Sequence, residues 1–193
     1  MSNFRDFLLD RGRSQRYALA LAMTGVRMGE RLLMVGDNAQ LAAELAAKVG
    51  LTGRCVMVVA SAAAAASVTA AATEAGVLLE DIRVSALPAL PVDRGAFDAA
   101  VVDAGPTFLT AHDGTGRLDL ARSLARALRP AGRLIIVEGR PTSPFRPFHA
   151  TPAGLDAFRA AGGAATLLET AGFHPVRLLA DRQGQRFTEG LRR

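Results

Sequence analysis

Lysine is almost absent from this chain: Lys48 is the only one among 23 basic residues, and arginine supplies the rest. With the abundance of alanine this reads as a bacterial-type base-composition bias, so the pI near 10.8 is weak evidence for a nucleic-acid partner. A net charge of +5 without a basic stripe describes a solvated surface. Cysteine is nearly missing as well. Cys55 stands alone in an apolar run, which excludes a disulfide framework and reads as a small core residue rather than a nucleophile. The 3 histidines are scattered, with no His-x-x-x-His or Cys-x-x-Cys spacing, so no metal site is expected. The first residues, MSNFRDFLLDRGRSQR, lack the apolar centre of a signal peptide, and the expected location is the cytoplasm. From Cys55 to Thr73 there are 19 residues without a charge, the length of a membrane span. Their Ala, Ser and Thr content argues instead for a valine-rich strand followed by an alanine-rich helix.

At 193 residues the chain supports one sizeable core, read here as a single domain with N-terminal helices over 1–28 and an α/β core over 29–193. The organising stretch runs from Glu30 to Val49. Arg31 to Val35 is an apolar run, Gly36 to Asn38 is turn chemistry, and Leu41, Leu45 and Val49 recur at helical spacing. In a doubly wound α/β sheet such a first turn lies at the crevice where nucleotide-like cofactors sit. A cradle for phosphate or nucleotide normally carries several glycines, and here Gly36 is alone.

The rest of the chain alternates strand and helix without internal repeats. Ser2 to Leu9 and Ser14 to Gly25 read as two opening helices. Arg54 to Val59 is a second strand, and Ser61 caps a helix running to about Ala75 and closed by Gly76. Ile82 to Ser85 and Phe97 to Val102 are further strands, Asp119 to Leu128 a helix, Pro130-Ala131-Gly132 a turn, and Leu134 to Glu138 a fifth strand. Gly139 to Gly154 holds four prolines and reads as an irregular excursion. Ala164 to Ala171 is a short helix. Val176 to Ala180 and Arg186 to Glu189 then alternate around Asp181-Arg182-Gln183-Gly184, the signal of a terminal hairpin.

Four stretches resemble the class I S-adenosylmethionine-dependent methyltransferases: ERLLMVG, GAFDAAVV, ARALRPAGRLIIVEG and LLETAGFHPVRLLADRQGQRF. The similarity runs from about Arg13 to the C-terminus. It implies an α/β, doubly wound, Rossmann-like seven-stranded sheet of order 3-2-1-4-5-7-6 with the last strand antiparallel. It also implies cofactor positions, and there the chain departs from the pattern. Where the family reads acidic-x-G-x-G-x-G, Met34 stands at the acidic position, Gly36 at the first glycine, Asn38 at the second and Gln40 at the third. The acidic residue after the second strand, which grips the ribose hydroxyls, falls at Val59 or Ala60. The one near the adenine amine falls at about Ala86. None of these three side chains can accept a hydrogen bond. Two buried cofactor groups left without partners would cost about 2–6 kcal/mol, roughly one to four decades of affinity.

The remaining candidates are few. Asp37 would contact the amino acid part of the cofactor or cap the following helix, and the capping preference of Asp favours the second role. Asp103, after the fourth strand, would face substrate or cofactor, or make a turn before Gly105-Pro106. His112 is a weak candidate for taking a proton from a hydroxyl substrate, with Asp113 beside it suited to capping. In Gly139 to Gly154, Phe145, Phe148 and His149 lie among prolines, fit to cover the crevice, dock a protein partner, or fold onto the core. Two functions remain open: a binding or scaffold protein, a pseudoenzyme with S-adenosylmethionine bound weakly or not at all, which the departures favour, or an active methyltransferase acting on a small molecule through an atypical cofactor site.

Overall fold

Leu32, Leu33, Met34 and Val35 are all buried in the first strand, β1 (Arg31–Val35), and a strand covered on both faces has to lie inside a sheet. It pairs in parallel with β2 (Arg54–Val59) on one side and β4 (Phe97–Ala104) on the other, so that Met34 stands between Met57 and Val101. The computed structural model describes residues 17–79, 81–105, 108, 113–139 and 154–193. With β3 (Asp81–Val84), β5 (Leu128–Gly139), β6 (Phe173–Arg182) and β7 (Gln185–Arg192), the sheet has seven strands in the order β3-β2-β1-β4-β5-β7-β6. Only β7 runs against its neighbours. This is the order and polarity that the sequence led us to expect.

Strand alternation divides the core into two layers. Leu32, Met34, Val101 and Phe187 share one with Leu19 and Ala20 of helical residues 17–24 (α1), with Leu41 and Leu45 of α2 (Ala39–Val49), and with Val68 of α3 (Ala62–Glu74). Leu33, Val35, Val102 and Leu134 share the other with Leu120 of α4 (Gly114–Ala127), Phe158 of α5 (Leu155–Ala160) and Leu168 of α6 (Gly163–Thr170). The uncharged stretch after Cys55 resolves as anticipated into β2 and α3. Ser61 caps α3, and its exposed Ser67, Thr69 and Thr73 donate to carbonyls four residues back. Among the described residues no helix is long and apolar enough to cross a membrane.

Several elements differ in their bounds from the sequence reading, the strands β4 to β7 all running longer than expected. Helix α4 starts at Gly114 rather than Asp119, because Asp113 Oδ1 accepts from the Gly116 N–H at 2.7 Å and this cap outweighs two glycines. The turn at Pro130-Ala131-Gly132 lies within β5, where Ala131 takes φ 59 and the pairing with β4 shifts register between Phe97 and Ala99. Helix α5 was not anticipated. The first opening helix, His112 and most of the proline-rich excursion, with Phe145, Phe148 and His149, lie outside the described residues. The terminal hairpin turns on Gln183 and Gly184 at φ 56 and 74, the positive pair that a two-residue hairpin loop requires. Its outer strand β6 is irregular, with register shifts between Phe173 and Val176 and between Leu178 and Ala180.

At the amino end of the sheet Asp98 ties three strands together. It accepts from the Arg31 backbone N–H at 2.8 Å, from Arg31 Nε and Nη2 at 3.2 Å, and from Arg129 Nε at 2.6 Å. Hydrogen bonds from Arg31, and then from Arg129, hold its carboxyl well below the ordinary 3.8. Asp98→Asn is expected to cost about 1–2 kcal/mol at neutral pH, a modest figure because both arginines are half exposed. A depressed folded value means that the contribution is complete above the ordinary value and declines as the pH falls below it. Urea titrations should therefore show a gap between wild type and variant that is constant above about pH 5 and narrows steadily below 3.8. A gap unchanged down to pH 2 would show that the charge is irrelevant.

Candidate functional site

The parallel strands all end on one edge, and the chain order reverses between β1 and β4, which is where an open α/β sheet forms its crevice. Gly36 opens this edge. Its φ of 142 is available only to glycine, and its N–H donates to the Val58 carbonyl at 3.2 Å. A Cβ placed there would stand 2.8 Å from Asp103 Cβ and 3.2 Å from the Asp103 carbonyl oxygen. The space beside this glycine is therefore filled by β4.

Asp37 is half-buried in the turn and does not cap the helix. Asn38 does. Its Oδ1 accepts from the Leu41 N–H at 3.2 Å and from the Tyr17 hydroxyl at 3.2 Å, and the residue is 5% exposed. The N-terminal helix thus lies over the first turn, with Tyr17 as its contact. At the end of β2, Val59 is buried in the layer of α2 and α3, Ala60 is exposed, and Ser61 Oγ accepts from the Ala64 N–H at 3.1 Å. Beyond β3, Ala86 is exposed. Asp103 is inside β4, opposite Val137, and buried; it neither follows the strand nor makes a turn.

Two further polar residues sit at this edge that the sequence reading did not single out. Glu138, 1% exposed at the end of β5, accepts from Arg159 Nε at 2.9 Å and, weakly, from the Ala164 N–H at 3.4 Å. Its sequence signal was a lone carboxylate closing the run LIIVE. Gln185, also 1% exposed, opens β7 opposite Gly139. Nothing in the sequence separates it from the other residues of the hairpin.

The other candidates stand elsewhere. His174 is exposed on the outer strand β6. Cys55 lies at the start of β2, at the far end of the sheet from the crevice; burial, and secondarily the charge of Asp81, push its thiol up to about 12, although part of its surface stays exposed. A thiol raised in this way disfavours the thiolate that a nucleophile needs. A groove of about 680 Å³ opens at that same far end, between the C-termini of α2 and α3. Among the described residues no three His, Cys, Asp or Glu side chains gather as a metal site would require.

Solved structures place this arrangement. A SAM-dependent methyltransferase from Aquifex aeolicus superimposes with a TM-score of 0.71 at 17% identity over 100% of both chains. The fold is that of the class I S-adenosylmethionine-dependent methyltransferases. A methyltransferase in complex with the Haloferax volcanii Trm112 methyltransferase activator matches at 0.60 and 16% identity, over 99% of this chain and 95% of that one. The [4+2]-cyclase SpnF matches at 0.63 and 18% identity, over 93% of this chain and 80% of its own. No family model matches the sequence, and no curated protein does either.

Proposed function

We propose that this chain is a binding or scaffold protein built on the methyltransferase fold, with a crevice that holds S-adenosylmethionine weakly or not at all. The end of β2 carries this reading. Where the resemblance puts a carboxylate against the ribose, Val59 points into the core, Ala60 offers a methyl group, and the Ser61 oxygen is already engaged in capping α3. The same holds at the first turn. The Asn38 oxygen is engaged by Leu41 and Tyr17, and Asp103 fills the room that a bare glycine backbone would offer a ligand. The residues at these strand ends do not fit the cofactor's hydroxyls and amine. That a cyclase matches this chain nearly as well as a methyltransferase is consistent with function residing in the site rather than in the fold.

The protein partner of such a scaffold would dock through residues 139–154, whose phenylalanines and arginines are of the kind that anchors interfaces. A match to a methyltransferase that associates with an activator protein supports this use of the fold. The alternative is an active enzyme methylating a small molecule, favoured by the carboxylates Asp37 and Asp103 that remain at the crevice. Calorimetric titration with S-adenosylmethionine and S-adenosylhomocysteine decides between the two. Dissociation constants of about 100 μM or weaker are expected from the partners lost. Sub-micromolar binding would overturn the scaffold reading in favour of the enzyme.

A further inference from the structure

At the end of the sheet opposite the crevice, large apolar side chains stand in water. Three loops enter neighbouring strands there, residues 25–30 before β1, 50–53 before β2 and 75–79 before β3. Each raises one of them: Met28 at 77% exposure, Leu51 at 93% and Leu78 at 69%. Among the described residues five large hydrophobics are exposed, and these three share one end. They also adjoin. A Cβ at Gly50 would stand 3.6 Å from Met28 Cγ, and Leu51 and Leu78 both line the groove of about 680 Å³ between the ends of α2 and α3. A single exposed leucine is ordinary, whereas apolar groups gathered at one place mark a surface made to leave water. Residues 50–53 and 76–79 carry no charge, and Thr52 is their one polar side chain. Such tips give a folded protein partner almost no hydrogen-bonding pattern to read.

Behind the tips the charge is positive. Glu30 faces Arg133 and Arg27, Asp81 faces Arg54 and Arg83, and Asp98 faces Arg31 and Arg129, so each of these carboxylates meets two arginines. Lys48, Arg94, Arg126 and Arg192 form no ion pair with a carboxylate among the described residues. Glu74 at the end of α3 and Asp93 before β4 are outnumbered as well. Apolar tips with cations set behind them match a bilayer interface, where hydrocarbon lies beneath anionic headgroups. A nucleic acid would use the cations and leave the leucines in water. We propose that this end docks on an anionic phospholipid surface, with Met28, Leu51 and Leu78 entering the interface and the cations behind them meeting the headgroup phosphates. The crevice then faces away from the membrane. The surface lies at the far end of the sheet from Val59, Ala60 and Ala86, so it stands whether or not the crevice binds S-adenosylmethionine.

The test is flotation of the full chain with vesicles of equal parts phosphatidylglycerol and phosphatidylcholine, with phosphatidylcholine alone as control. The wild type is expected to bind the mixed vesicles at least about tenfold more tightly, and added salt to weaken that binding. Leu51→Ser with Leu78→Ser should weaken it about tenfold or more, and move the melting temperature by less than about 2 °C because both side chains already lie in water. Arg27→Gln with Lys48→Gln should also weaken it about tenfold. Leu178→Ser, an exposed position on β6, should change nothing. The chain has no tryptophan, so Leu51→Trp supplies a single reporter whose emission should shift to the blue on the mixed vesicles. Equal binding to both vesicles, undiminished binding of the double serine variant, or an unmoved tryptophan emission would overturn the proposal. Binding of a thymidine oligonucleotide without binding of vesicles would assign the cations to nucleic acid and overturn it too. Cofactor titration is a separate readout, so failure here leaves the scaffold reading standing, and the converse is also true.

Discussion

Gly36→Ala is expected to destabilise the chain by about 2–5 kcal/mol, the sum of a backbone conformation that alanine avoids and an overpacked contact. The new methyl carbon would lie 2.8 Å from Asp103 Cβ, and that atom is fixed in β4 rather than at the end of a flexible side chain. Relief requires β1 and β4 to separate at the centre of the sheet, where Val35 pairs with Val102. Chemical denaturation at neutral pH measures the loss directly. The result also bears on what the glycine is for. A glycine that only leaves room for a ligand tolerates alanine in the ligand-free chain, so a cost below about 0.5 kcal/mol would show that the close approach to Asp103 is not what this position serves.

The second large effect is expected from Arg159→Ala. Glu138 is 1% exposed and takes its main hydrogen bond from the Arg159 guanidinium, which comes from a helix of only six residues. Removing the arginine strands a buried carboxylate, and the cost is about 2–4 kcal/mol, at or below the usual range for broken buried pairs because Arg159 itself keeps 30% exposure. Adding Glu138→Gln to the variant removes the stranded charge and should recover at least half of the loss, as read from paired denaturation curves. A double variant no more stable than Arg159→Ala alone would mean that the arginine acts through packing.

Much of the fold was legible because its signals are local. The runs at Arg31 to Val35 and Arg54 to Val59 are the strands observed, Ser61 caps the helix it precedes, and the hairpin turns within the expected Asp181 to Gly184 stretch, on its last two residues only. The site was legible only in position. Asp37 and Asn38 are both of residue types that cap helices, and the choice between them falls to Asn38, which takes φ −77 and ψ 84 two residues after a glycine at φ 142. A tyrosine hydroxyl 21 residues away then bonds the same oxygen. Glu138 and Arg159 are likewise 21 residues apart, and neither spacing leaves a periodic trace. The apolar run that marks the fourth strand stops at Val102 and so places Asp103 after it, yet the pairing of β4 with β5 continues through Ala104.

The irregular outer strand has a consequence for assembly. A strand of ten residues at the rim of a sheet would ordinarily be a template on which another chain could lay its own backbone. In β6 the two register shifts leave regular ladders of only three pairs each, Val176 to Leu178 and Ala180 to Arg182. An incoming strand would meet a change of twist before it had formed a second pair of bonds. The opposite rim, β3, is four residues long, and its Asp81 is gripped by Arg54 and Arg83. Sheet-to-sheet growth into fibres is thus discouraged at both rims by geometry and charge, and the chain can expose Leu178 on its surface without inviting copies of itself to stack there.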